Sequence, residues 1–218
     1  MNVQTRNTAI TRNFPPAHLR YGLSKRLLDI VLAGLGLIIL GFASLVIWLL
    51  MRLEDKGPLF FRQKRRGLHG SIFTLYKFRT MRVDAEQQKQ LLKHLNEVDG
   101  PVFKIRKDPR VTRLGRILRK FSIDELPQVI NVLRGEMSIV GPRPLPVEEV
   151  DLADPRQLAR MRVLPGLTCY WQISGRSEVS FEDWMKMDEQ YIRKQSLRED
   201  LRIILKTISA VIGGRGAY

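Results

Sequence analysis

The chain has 218 residues, enough for one domain with a sizeable core and an additional anchor. Lys and Arg number 37 against 22 Asp and Glu, a net charge of +15, so the surface suits anions: nucleic acid, lipid head groups or phosphorylated substrates. One cysteine, Cys169, excludes a disulfide framework and fits a reducing compartment, and the three scattered histidines form no metal-ligand spacing.

Residues 1–24 are polar, contain Pro15 and Pro16, and read as a loose arm. Residues 25–56 follow as a membrane anchor. Ile30 to Met51 carries no charge, a length that matches a bilayer core of about 30 Å. Its late start and its length argue against a cleaved signal peptide. Basic residues flank it on both sides, with Lys25 and Arg26 before and Arg52, Lys56 and Arg62 after. A simple span usually has a basic flank on the cytoplasmic side alone. Two such flanks point to a segment that dips into the membrane and returns, with Gly34, Gly36 and Gly41 as weak points, although a straight span stays open.

Residues 57–218 form the expected catalytic domain, mainly α with a small β-hairpin. Pro58 to Gln63 and Ser71 to Phe78 read as strands around a turn at Gly67 to Gly70. Ala85 to Val98 predicts a helix with Leu91, Leu92 and Leu95 on one face. Arg113 to Phe121 predicts an amphipathic helix with a cationic edge at Arg113, Arg116 and Arg119. That edge suits either solvent or a phosphate, and the helix suits a membrane interface. A short helix from Leu126 closes at Gly135. Ser196 with Glu199 forms a capping box before a final helix.

Three stretches can carry chemistry. The first is Ser122-Ile123-Asp124-Glu125-Leu126-Pro127. Adjacent acids suit a helix N-terminus, which is a purely structural role. The alternative is that Asp124 caps the helix, with Pro127 in the free first turn, and that the pair holds Mg²⁺ and attacks or deprotonates. The second is Gly141-Pro142-Arg143-Pro144, either a rigid turn or a preorganised guanidinium for phosphate. The third runs from Pro165-Gly166 through Trp171 to Gly175-Arg176, where glycine lets a guanidinium approach a ligand and Trp171 serves core or interface. Lys77 and Arg79 add cations at the end of the second strand. No GxxxxGK[ST], GxGxxG or HExxH pattern occurs.

These fragments have a recognisable order. KRLLDIVLAGLGL, GPLFFRQKRRG, YKFRTM, DPRVTRLGRILRKFSIDELPQVINVLRGEMSIVGPRP, LPGLTCYWQISGR and GRGAY succeed one another from Lys25 to Tyr218. In this succession the chain resembles the bacterial sugar transferases, the monotopic polyprenyl-phosphate phosphoglycosyl transferases. The resemblance implies a re-entrant helix on the cytoplasmic face of the bacterial inner membrane. It implies Mg²⁺ and an Asp-Glu dyad at Asp124 and Glu125. The Asp attacks a UDP-sugar, UMP leaves, and a polyprenyl phosphate takes the sugar-1-phosphate from a sugar-phosphoryl-Asp intermediate. Arg119 and Arg143 are the implied phosphate binders, joined by Lys77, Arg79 and Arg176, with Glu136 and Gln128 in support. The family's helix commonly carries a Ser-Pro break where this chain has Gly41-Phe42. The chain reads as a short form without the extra N-terminal helices of long members. The TCYWQISGR block and GRGAY lean toward glucose or galactose donors. Expected partners are the UDP-sugar, polyprenyl phosphate, anionic membrane lipid and a second copy as a homodimer, but not nucleic acid, which would need stacking aromatics or a groove-reading helix. The competing functions are a catalytically silent lipid-binding module and a nucleotide-sugar hydrolase.

Overall fold

A long apolar helix and a larger mixed body share one core. The computed structural model describes residues 19–97 and 100–213; the expected arm up to residue 18 and the GRGAY stretch lie outside the described residues. In chain order the elements are α1 (Leu19–Glu54), β1 (Phe60–Arg66), β2 (Ile72–Phe78), α2 (Ala85–Lys89), α3 (Arg113–Lys120), α4 (Val129–Leu133), β3 (Ser138–Val140), α5 (Pro155–Arg160), β4 (Gly166–Thr168), α6 (Tyr170–Ile173), α7 (Phe181–Lys194) and α8 (Leu197–Gly213). The mainly helical reading with a small hairpin holds. The parallel pair β3–β4 was not anticipated, since strands of three residues carry no readable period.

Helix α1 runs 36 residues without interruption, beginning inside the expected arm and ending just short of the expected anchor boundary. By length and composition it could cross a membrane. The glycines do not break it. Gly36 instead packs tightly: a Cβ there would lie 2.9 Å from Val129 Cγ1. Asp29, Ala33, Leu40, Ile47 and Met51 are buried on one face, spaced by four or seven residues. That face meets Phe73 and Leu75 of β2, Leu118 of α3, and Val129 and Val132 of α4 in the main core. Both ends of α1 are fastened to the same body. Near the start, Lys25 Nζ reaches Asp200 at 2.7 Å and the Val140 carbonyl at 2.9 Å, and Asp29 accepts from Ile139 N–H at 2.8 Å. At the other end Glu54 accepts from the Arg113 and Leu114 N–H groups at 2.6 and 3.0 Å, capping α3.

The hairpin pairs Phe60 with Phe78 and Arg66 with Ile72, turning at Leu68–Gly70 where His69 and Gly70 have positive φ. Two local expectations need correction. The helix predicted over 85–98 stops at Lys89, and Leu91 stays 75% exposed. Leu95 is exposed as well and Leu92 is only partly buried, so little apolar burial supports a longer helix here. The second correction concerns Asp124. The residue preceding the helical turn is Ser122, in left-handed conformation, and Asp124 lies inside a 3-10 turn, Ile123–Gln128. The tighter 3-10 path lets Pro127 sit inside the turn. Helix α8 is capped as read, with Glu199 N–H donating to Ser196 Oγ at 3.3 Å, but the Glu199 carboxylate accepts from Tyr170 instead of closing the box.

Candidate active site

The 3-10 turn carries Asp124 and Glu125 into a cavity of about 960 Å³. Both acids line it, and their surroundings differ. Glu125 Oε1 accepts from Lys77 Nζ at 2.8 Å, and the Arg143 guanidinium binds both carboxylate oxygens. Gln172 Nε2 approaches Oε2 at 3.4 Å. Burial opposes ionisation of Glu125, but Arg143 and then Lys77 outweigh it and hold its carboxyl well below the usual range. Asp124 is 7% exposed, and among the described residues no hydrogen bond reaches its carboxylate. Its nearest cation is Lys77 Nζ at 4.0 Å. Burial dominates and pushes Asp124 up to about 6, with the neighbouring Glu125 charge adding to the rise. The pair therefore divides into a clamped acid and one held only by a long ion pair.

The cations around the pair are held from several elements. Lys77 ends β2, and burial lowers its ammonium pKa. Arg119 lies on α3, with Nε donating to Thr80 Oγ1 at 2.9 Å. That contact requires α3 to pack closely on the end of β2, which Gly115 permits: a Cβ there would lie 2.1 Å from the Thr80 carbonyl oxygen. Arg143 sits in the rigid Gly-Pro-Arg-Pro loop. Gly141 N–H donates to Thr168 O at 3.0 Å, and Gly166 N–H donates to Pro142 O at 2.9 Å. Arg160 bridges the Arg143 carbonyl and Asp188, fixing the loop from behind. Arg176 has φ 54 after Gly175 and is 9% exposed, and its Nη1 has no hydrogen-bond partner. A buried guanidinium with an unused donor is suited to a bound anion.

The family model described as bacterial sugar transferase matches residues 20–214. The chain belongs to the bacterial sugar transferase family. It is 47% identical over 197 residues to a galactosyl transferase, CpsE, of Streptococcus agalactiae, covering 89% of this chain and 43% of that protein. It is 40% identical over 204 residues to the exopolysaccharide production protein ExoY of Rhizobium meliloti, covering 90% of this chain and 89% of that protein. It is 37% identical over 202 residues to the undecaprenyl-phosphate galactose phosphotransferase of Salmonella typhimurium, covering 89% and 41%. The chain thus spans less than half the length of the first and third of these relatives.

Several residues of this sugar transferase sit differently from their sequence expectation. Arg79 lines the cavity, but its guanidinium is engaged: it pairs with Asp55 and donates to the Pro58, Met81 and Asp55 carbonyls. These contacts tie the end of β2 to the end of α1. Glu136 lies outside the cavity lining and accepts from Asn131 Nδ2 at 2.6 Å. Asn131 in turn donates to Thr74 O and accepts from Tyr76 N–H, pairing with β2 like a short strand, so Glu136 acts two steps from Lys77. Gln128 is 1% exposed beneath the turn and does not line the cavity. Trp171 lines the cavity and also packs against Trp184, with ring centroids 4.8 Å apart and the ring planes tilted by 42°, so the two roles open in the sequence coexist. The sequence reading passed over Asp55, Arg65 and Lys104. Asp55 and Lys104 meet partners from distant elements, and Arg65 is one of several basic residues on β1 with nothing local to single it out.

No group of three or more metal-ligating side chains occurs among the described residues. Mg²⁺ needs less: one or two carboxylates, with water and substrate phosphate completing an octahedron. The Asp124 oxygens, without a hydrogen-bond partner among the described residues and adjacent to Glu125, fit that donor set.

Proposed function

We propose that this sugar transferase moves a hexose-1-phosphate from a UDP-sugar to undecaprenyl phosphate and releases UMP, as the first membrane step of exopolysaccharide assembly. The observation that carries the reading is the unequal acid pair. A carboxylate with one distant ion pair, beside a carboxylate held closely by two cations, suits a nucleophile beside an organiser of charge. The names of the Salmonella and Rhizobium relatives support the lipid acceptor and the exopolysaccharide setting. The glucose phosphotransferase of Komagataeibacter xylinus, 38% identical over 207 residues, supports a hexose donor.

In the first step an Asp124 oxygen bonds to the sugar-bearing phosphorus, and the bond from that phosphorus to the bridging oxygen breaks. The electron pair leaves with UMP. Lys77, Arg119 and Arg143 hold the phosphoryl oxygens while charge spreads over them. In the second step an oxygen of the lipid phosphate attacks the same phosphorus, and the Asp124 carboxylate leaves unchanged. Asp124 and Glu125 would hold Mg²⁺, which when bound supplies neutralisation of the diphosphate charge. Arg143 and Lys77 keep Glu125 ionised throughout, so the field at Asp124 is preorganised.

The lipid acceptor calls for a site at a bilayer surface. Leu23, Leu27, Leu35, Ile38, Phe42 and Leu53 on α1 are more than half exposed, an apolar surface suited to lipid. The fastening of both Lys25 and Glu54 to one body favours a monotopic arrangement, with both helix ends on the cytoplasmic face of the inner membrane. Cysteines placed at Ser24 and Lys56 should both react with an impermeant reagent only from the cytoplasmic side; labelling of either one from outside establishes a span.

The chemical test uses UDP-glucose or UDP-galactose carrying label in the sugar. Without lipid, the chain should take up label in a hydroxylamine-sensitive bond and release one UMP per site. Asp124→Asn should do neither while remaining folded. Full UMP release by that variant overturns the assignment.

A further inference from the structure

One wall of the cavity comes from residues 82–112, the stretch between β2 and α3. Lys104 is carried on it. The backbone there is fixed at both polar groups: Lys104 N–H donates to Asn96 Oδ1 at 2.8 Å, and its carbonyl accepts from Glu97 N–H at 2.9 Å. The residues on either side are held as well. Phe103 lies under the Arg110 guanidinium at 5.2 Å, and Ile105 is 6% exposed. Three consecutive residues are thus anchored, and the Lys104 side chain lines the cavity that holds the acid pair.

The charged groups facing Lys104 come from four elements. Arg143 reaches it from the loop after β3, Arg119 from α3 and Lys77 from β2, with Glu125 of the 3-10 turn as the opposing acid. Burial first, and these cations second, hold the Lys104 ammonium down to about 8. Glu125 is already paired with two of the three cations. Gathering another cation here is electrostatically unfavourable in the empty cavity and favourable once an anion with several oxygens enters.

We propose that Lys104 is a phosphate-binding residue of this site, contributed by the 82–112 wall, which completes a ring of cations around a substrate phosphate. The inference rests on the transferase reading above. Two substrates carry that chemistry, the diphosphate of the donor and the phosphate of the lipid acceptor.

The test separates binding from turnover. UDP-glucose binding is measured calorimetrically in the full chain carrying Asp124→Asn, so that no donor is consumed. Lys104→Met in that background should weaken binding about tenfold at pH 7, and Lys104→Arg should restore most of it. Between pH 7 and 8.5 the chain with Lys104 should lose affinity as the ammonium discharges, and the Lys104→Arg chain should lose less. In otherwise unaltered enzyme, a rise confined to the KM for undecaprenyl phosphate assigns Lys104 to the lipid phosphate instead. If Lys104→Met binds donor and uses acceptor like the unaltered chain, the proposal is wrong. The transferase reading then still stands, provided Asp124→Asn has lost turnover. Turnover retained by Asp124→Asn removes that reading, and the binding measurements still decide whether Lys104 holds phosphate.

Discussion

The Arg143 guanidinium donates to both oxygens of the Glu125 carboxylate, a two-point grip on that acid. Lys77 completes the clamp. Asp124, one residue earlier, is turned into the same cavity without a comparable partner. Two chemically similar side chains are therefore given different surroundings by their neighbours.

Removing the clamped acid should destabilise the protein. Glu125→Gln leaves Arg143 and Lys77 half-buried against each other without a counter-charge. Breaking such a pair from one side costs about 3–5 kcal/mol. Thermal unfolding in detergent at pH 7.5 should show a clear fall in Tm. An unchanged Tm would mean that solvent compensates the cations and that the grip is unimportant.

Asp124→Asn should act in the opposite direction on stability. The folded Asp124 titrates near 6, above its reference value of 3.8. Below about pH 4 both folded and unfolded forms are protonated, and the group contributes nothing. As pH rises toward 6 the unfolded form loses its proton first, so folding is penalised progressively. Above about 6 the penalty is complete. The variant should therefore exceed the parent in Tm by an amount that grows from pH 4 to about 6.5 and then levels. The kcat/KM for UMP release by the parent should fall below pH 6, as a carboxylate nucleophile gains its proton. A pH-independent Tm difference contradicts the titration.

Local pattern carried much of this fold, and long-range pairing carried the rest. The uncharged run of α1, the strands of the hairpin and the cationic period of α3 are visible within a few turns of chain. What escaped was set by partners far away in sequence. The leucines after Lys89 have helical spacing, but Leu91 and Leu95 stay exposed and the helix ends. Pro127 suggested a late N-cap because an α-helix was assumed where a 3-10 turn forms. Adjacent acids after a cationic helix were legible as a candidate site, yet nothing local distinguishes Asp124 from Glu125. That difference comes from Lys77, 48 residues from Glu125, and from Arg143, 18 residues from it.

Two arginines on the cavity wall should respond oppositely to substitution. Arg79 spends its donors on Asp55 and three carbonyls. Arg79→Gln should lower stability by about 2–4 kcal/mol while the folded protein binds UDP-sugar as before. Arg176 retains an unused buried nitrogen. Arg176→Gln should weaken UDP-sugar binding about tenfold with little loss of Tm. Calorimetric binding and thermal unfolding on both variants check this, and equal behaviour of the two contradicts it.

Gly115 should matter to catalysis without touching substrate. A Cβ at this position would lie 2.1 Å from the Thr80 carbonyl oxygen, a backbone atom that also accepts from Thr112 N–H at 3.0 Å. The carbonyl cannot yield without breaking that bond, so α3 must move away from β2. Arg119 would then lose its 2.9 Å contact with Thr80 Oγ1 and its place beside the acid pair. Overpacking of this kind costs about 1–3 kcal/mol or more. Gly115→Ala should lower kcat for UMP release at least tenfold, since a displacement of about 1 Å in a positioned group costs about a hundredfold in favourable cases. Gly34→Ala is the matched control, because nothing lies within 4 Å of a Cβ there. Alanine should stabilise that turn of α1 by about 1 kcal/mol and leave kcat alone. Normal turnover by Gly115→Ala would show that Arg119 does not depend on the α3–β2 contact for its position.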